Sequence, residues 1–289
     1  MPAVHGRLRS RAKGRRGYVL LAVLWLVAAL SLMVGTLLLE VRQETRQALA
    51  DKSRLNAGAL SEAAIRFVLC SMVGDASALR KGILRKTITL FDATVELEIV
   101  PMNGYIDLNN AKPQLLADML RYAGAMPADA AAELAQRIVS YREVRDTLGQ
   151  ARKFHGVEDL LRVDGVDYAL YARVEKLLTT HTNGTGLVNP LAAPEGVLAV
   201  LTQGDVVRAH QLGVARVTSP ESIDTSTLAP GRIESVATPY IEIRALGPVV
   251  DQVAYGVIWQ VDLRTPAHGL PWQTISTKPY SVRIGPQSS

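Results

Sequence analysis

Tyr18–Leu39 is a run of 22 residues without a charge, and it constrains this 289-residue chain more than any other feature. Only Ser31, Gly35 and Thr36 weaken its apolar character. A helix of this length spans about 33 Å, enough for the hydrocarbon core of a bilayer. Arg7, Arg9, Arg11, Lys13, Arg15 and Arg16 precede it with no acidic residue among positions 1–17, whereas the following flank, Glu40–Arg46, is balanced. The positive-inside rule then keeps the N-terminus in the cytoplasm and sends the rest across the membrane. The leader holds six of the 32 basic residues, leaving the remainder close to balance against 27 acidic ones. The pI of about 9.4 therefore reports the leader, and a nucleic-acid partner is not expected. The single cysteine, Cys70, excludes an intrachain disulfide and a cysteine-built metal cluster.

Four processing readings compete for this N-terminus. A simple signal-anchor needs nothing beyond the run itself. A secretory signal peptide fits poorly, because the run is long and the small-x-small triplet Ala48-Leu49-Ala50 lies beyond the charged flank. Arg15-Arg16-Gly17-Tyr18 has the paired arginines of a twin-arginine signal, again before too long a run. The fourth reading uses more residues. The leader ends in Gly17, the apolar helix starts at the next residue, and no proline occurs from Tyr18 to Met72. One helix of about 55 residues, roughly 80 Å long, is expected. Ala48, Lys52, Leu55, Ala59, Ala63, Phe67 and Cys70 recur at helical spacing and predict its buried stripe, with Cys70 inside. This pattern resembles the N-terminal helix of type IV pilins and type II secretion pseudopilins. The resemblance implies cleavage by a prepilin peptidase between Gly17 and Tyr18 and methylation of the new N-terminus. Pilins usually carry Glu at the fifth mature position; here that position is Ala22. A carboxylate at such depth costs about 2.5–3.5 kcal/mol unless a neighbour's amine meets it. A subunit with nothing stacked above it has no such amine to meet.

Beyond the helix the periodicity alternates between classes. Arg85–Val100 reads as a hairpin turning near Asp92, and Ile241–Ala245, Val253–Leu263 and Tyr280–Ile284 read as further strands. Pro113–Arg121, Asp129–Arg142, Val157–Val163 and Tyr168–Leu178 carry helical spacing, with Leu134, Ile138 and Tyr141 on one face. Ile106–Leu116 and Leu187–Val197 echo each other: an apolar residue and an Asn precede Ala-x-Pro, which opens a helix. The expected fold is α+β and pilin-like: a long N-terminal helix, transmembrane in its first half, on an antiparallel sheet with a large helical insertion. The segments are a leader at 1–17, a membrane half-helix at 18–40, a periplasmic half-helix at 41–75, sheet at 76–104, the insertion at 105–215 and the remaining sheet at 216–289.

IDLNNAKPQLL at 106–116, GVEDLLRVDGVDYALYARVEKLLT at 156–179 and LVNPLAAPEGVLAVL at 187–201, with Gly17 and its helix, resemble the K-type minor pseudopilin family (general secretion pathway protein K). The chain departs from that family at Asn110, where Thr is usual, and at Tyr141-Arg142-Glu143, where Trp-Arg-Asp is usual. The resemblance implies a tip subunit that starts and caps a periplasmic pseudopilus and lacks the filament glutamate. Implied partners are the I-type and J-type minor pseudopilins, the major pseudopilin, the prepilin peptidase and the inner-membrane secretion platform. It also implies calcium in some members; Asp164, Asp167, Asp205 and Asp224 sit in loops, without a D-x-D-x-D-G pattern to assign it.

The enzyme motifs HExxH, G-x-S-x-G and the phosphate-binding loop are missing, so no enzyme activity is expected. Two rivals remain. Leu160–Leu178 resembles the helix–hairpin–helix of DNA-uptake proteins, but its hairpin, Asp164-Gly165-Val166-Asp167, carries two carboxylates that would repel phosphate. A minor pilin of a type IV pilus is the other.

Overall fold

The computed structural model describes residues 15–284 apart from 73–81, 146–148, 183, 219–223, 226–227, 229, 237, 251, 265 and 268; within the first helix, side chains are described at 20–33, 44 and 47–72. The chain divides into two compact units, Met1–Leu55 and Asn56–Ser289. Helix α1 (Arg15–Met72) contributes residues to both. In the first unit the large side chains between Leu20 and Met33 are all more than half exposed. Among the described residues no helix is long and apolar enough to cross a membrane; Leu20–Met33 is only part of the uncharged run.

The second unit is α+β. Strands β1 (Leu84–Leu90), β2 (Ala93–Pro101), β5 (Tyr240–Val250), β6 (Val253–Asp262) and β7 (Gln273–Arg283) form one antiparallel sheet in the order β1-β2-β5-β6-β7. The hairpin expected near Asp92 is present. Phe91 and Asp92 make its turn, both at positive φ, which matches the strand twist but suits Asn and Gly better. Val95, Leu97 and Ile99 on β2, Ile241, Ile243 and Ala245 on β5, and Val257, Trp259 and Val261 on β6 alternate onto one face. That face is covered by Ala64, Ile65, Val68, Leu69 and Met72 of α1.

The helix therefore buries a different stripe from the expected one. Ala57, Ser61, Ala64, Ile65, Val68, Leu69 and Met72 face inward, whereas Leu55 is 73% exposed, Phe67 is 59% exposed, and Ala59 and Cys70 are exposed. The reason lies in the sheet. β5 shifts register between Leu246 and Val249, and at Gly247 a Cβ would sit 3.0 Å from the Ala57 Cβ. Backbone comes that close only against small side chains, so Ala57, Ser61 and Ala64 turn inward and Leu55 and Phe67 are left outside. Ser61 pairs its buried hydroxyl by donating to the Ala57 carbonyl at 2.8 Å.

Between β2 and its sheet neighbour β5 the chain builds a separate core. It contains α2 (Pro113–Tyr122), α3 (Ala128–Glu143), α4 (Tyr168–Val174), α5 (Glu195–Leu201), α6 (Val206–Thr218) and the short parallel pair β3 (Ile106–Asp107) and β4 (Leu178–Thr179). Leu134 and Ile138 are fully buried there and Tyr141 packs at the edge, the face read from their spacing. Val157–Arg162 is a 3-10 helix; Asp159 Oδ2 accepts from the backbone of His155 at 2.8 Å and fixes its start.

Candidate functional site

The processing residues fall on α1. Gly17 and Tyr18 lie in its first turn, with side chains outside the described residues, and Ala22 is exposed among Leu20, Leu21 and Val23. In the second unit α1 leaves Ala59, Phe67 and Cys70 exposed, together with Arg66, which pairs with Glu62 at 3.1 Å.

The sheet face turned away from α1 carries a hydrogen-bonded ladder that crosses all five strands. Arg85 on β1 donates to Glu98 Oε1 on β2 at 2.9 and 3.1 Å. Glu98 Oε2 lies 3.4 Å from Arg244 on β5. Arg244 donates twice to Glu242 Oε1, at 2.7 and 2.9 Å, and Gln260 on β6 donates to Glu242 Oε2 at 3.0 Å. Ser276 on β7 donates to Gln260 at 3.0 Å. Tyr105, just after β2, donates to Glu242 at 3.3 Å and accepts from Arg244 at 2.7 Å. Glu242 is 9% exposed, so its charge depends on these partners. Burial, then Glu242, pushes the Tyr105 phenol well above its ordinary range. Burial alone would lower Arg244, but the Tyr105 oxygen and Glu242 outweigh it and hold the guanidinium charged.

A cleft of about 700 Å³ separates this ladder from the helical block, with Tyr105, Glu242 and Arg244 on one wall and His155, Tyr171 and His181 on the other. Burial and then Glu158 and Glu175 raise the Tyr171 phenol to about 12. Burial lowers His181, against the pull of Asp107 and Asp262. Thr180 Oγ1 lies 3.0 Å from His181 Nδ1. The cleft offers fixed charges and hydrogen-bond groups. Its key residues read in the sequence as the wet sides of amphipathic strands. The available signal was Glu242 and Arg244, two apart on one strand face, opposite Glu98 in the hairpin.

The remaining candidates take structural places. Asp167 caps α4, accepting from Leu170 N at 2.7 Å, and Asp205 accepts from Arg208 N at 2.9 Å at the start of α6. Asp164 is exposed in the hairpin, and Gly165 beside it has φ +93. Among the described residues no three His, Cys, Asp or Glu side chains converge on a metal position. The two echoing Asn words do open helices, but not by capping. Asn109 Oδ1 accepts from Phe154 N at 2.8 Å and its Nδ2 donates to Phe154 O at 3.0 Å. Asn189 Oδ1 accepts from Leu191 N at 3.0 Å in a local turn. Neither α2 nor α5 has a side-chain cap. Buried Asp107 ties the first word together, accepting from Asn109 N and Asn110 Nδ2 at 2.7 Å and from the Thr182 hydroxyl.

No known protein family and no curated protein sequence matches the chain. Among solved structures, one chain of "The Crystal Structure of the GspK-GspI-GspJ complex from enterotoxigenic Escherichia coli Type 2 Secretion System" is similar over 83% of this chain and 98% of that one, at 13% identity and a TM-score of 0.47.

Proposed function

We propose that the chain is a minor pseudopilin of a type II secretion apparatus, of the K type, which starts and caps the tip of a periplasmic pseudopilus. The observation that carries this is the N-terminal arrangement. Six cations end in Gly17, the uncharged run begins at Tyr18, and the same α1 continues to Met72 onto an antiparallel sheet. Ala22 in place of the filament glutamate supports a terminal rather than a repeating position. The broad helical block between β2 and β5 supports it too, because so wide a subunit cannot be stacked serially in a thin fibre. On this reading Tyr18–Leu39 anchors the protein in the bacterial inner membrane, N-terminus cytoplasmic and bulk periplasmic. The role is assembly, not catalysis. The partners are I-type and J-type minor pseudopilins, the major pseudopilin, the prepilin peptidase and the secretion platform.

The exposed apolar residues of α1, Leu55 and Phe67 among them, supply association contacts. Co-expression of the full chain with I-type and J-type minor pseudopilins, followed by affinity purification in mild detergent, tests this. The three should co-purify, and Phe67→Glu with Leu55→Glu should release the chain while leaving its melting temperature unchanged. Separate elution of wild-type proteins at tens of micromolar contradicts the reading.

A further inference from the structure

A second cleft, of about 840 Å³, lies on the helical block away from the sheet ladder, and its walls are Tyr141, Arg152, Lys153, His155 and Arg162 beside the neutral Gln150 and Ala151. Among the described residues no acidic side chain lines it, in a chain close to charge balance outside its leader. The local fold gathers these cations. Beyond α3, Arg152 N donates to Val144 O at 2.8 Å and Arg145 pairs with Ala151 in an antiparallel bridge. The next residues run past α3, where Phe154 stacks on Tyr141 at 5.0 Å. The Arg152 guanidinium lies 4.9 Å over the Tyr141 ring. That stack holds the planar fork in place without using its N–H groups, and neither Arg152 nor Lys153 has a side-chain hydrogen bond or ion pair among the described residues. Among the described residues Arg162 pairs with Asp159 alone, at 3.2 Å, and its side chain is 70% exposed.

We propose that this cleft docks an acidic segment of a partner protein, with Arg152 and Lys153 receiving its carboxylates and Tyr141 as the apolar floor. Pre-positioned, unpaired cations give up little when they bind an anion, and a stacked arginine presents its fork to a carboxylate with two parallel hydrogen bonds. A protein segment fits better than a nucleic acid. The exposed Glu158, Asp164 and Asp167 follow in the adjoining 3-10 helix and hairpin, so the anion that fits is a short run of carboxylates rather than a continuous phosphate backbone. This inference does not rest on the secretion reading.

The test uses the full chain and a fluorescein-labelled peptide of eight glutamates flanked by glycines. The readout is mass-spectrometric acetylation of Lys153, which distinguishes the cleft from the basic leader. At peptide ten times above its Kd, Lys153 acetylation should fall about tenfold, while Lys278, which lines the other cleft, reacts as before. Arg152→Gln with Lys153→Gln should weaken peptide binding at low salt about tenfold or more with an unchanged melting curve, since both side chains are exposed. The proposal is overturned if Lys153 stays equally reactive with peptide bound, if the double variant binds like wild type, or if duplex DNA at equal charge protects Lys153 more strongly than the peptide.

Discussion

Which face of α1 packs on the sheet has a measurable consequence at two positions. Leu69 is fully buried in the helix–sheet core and Phe67, two residues earlier, is 59% exposed. Leu69→Ala removes most of a buried side chain from a core whose strands cannot collapse into the gap, which costs about 2–5 kcal/mol. Alanine is the better helix former, so none of that loss comes from helix propensity. For a unit of this size each kcal/mol lowers the midpoint by about 2–4 °C, so Leu69→Ala should melt roughly 4–20 °C below wild type. Phe67→Glu should stay within about 0.5 kcal/mol, because the lost apolar contact is small and the new charge meets water. Thermal unfolding of the purified full chain, followed by circular dichroism in one detergent condition, reads both. The opposite order, with Phe67→Glu unfolding the protein and Leu69→Ala tolerated, would show that the Ala48–Cys70 stripe is the core after all.

Replacing Glu242 with Leu should destabilise by about 3 kcal/mol in denaturant unfolding, because Arg244 and Gln260 lose their main acceptor inside the cleft wall; Glu98 alone sufficing for Arg244 would show as a loss under about 1 kcal/mol. Phe91→Asn with Asp92→Gly should stabilise by about 1 kcal/mol, since both positions sit at positive φ and Phe91 is 90% exposed. His181 should titrate below its ordinary 6.5 by NMR. Its folded state resists protonation, so stability falls as pH drops below that value, and His181→Gln should flatten this part of the acid limb.

Element type was legible wherever the hydrophobic period was clean. Every second residue of Val95–Ile99 on β2, Ile241–Ala245 on β5 and Val257–Val261 on β6 is apolar and buried, and α2 and α3 repeat at helical spacing between glycines and prolines. The phase of α1 was not legible, because residues 48–72 have two apolar faces. The choice between them was made by Gly247 and the β5 bulge, far along the chain. Val157–Val163 has helical spacing yet forms a 3-10 helix, because Asp159 ties back to His155 and Gly156 at once and Gly165 turns the chain soon after. The ladder was hidden for a related reason. An alternating strand shows that Glu98, Glu242 and Arg244 share a face, but not that a helical block inserted elsewhere will wall that face off. The cations of the second cleft were visible only as scattered letters until Tyr141 and Phe154 stacked beneath them.

The N-terminus of the protein isolated from cells tests the central claim most directly. Intact mass and N-terminal sequencing, with and without a prepilin peptidase in the same cells, identify the first residue. The account predicts a chain starting at Tyr18 and heavier by one methyl group when the peptidase is present, the full leader when it is absent, and an uncleaved chain for Gly17→Val in both. A protein that starts at Met1 in cells with an active peptidase, or that is cut beyond residue 40, would contradict it.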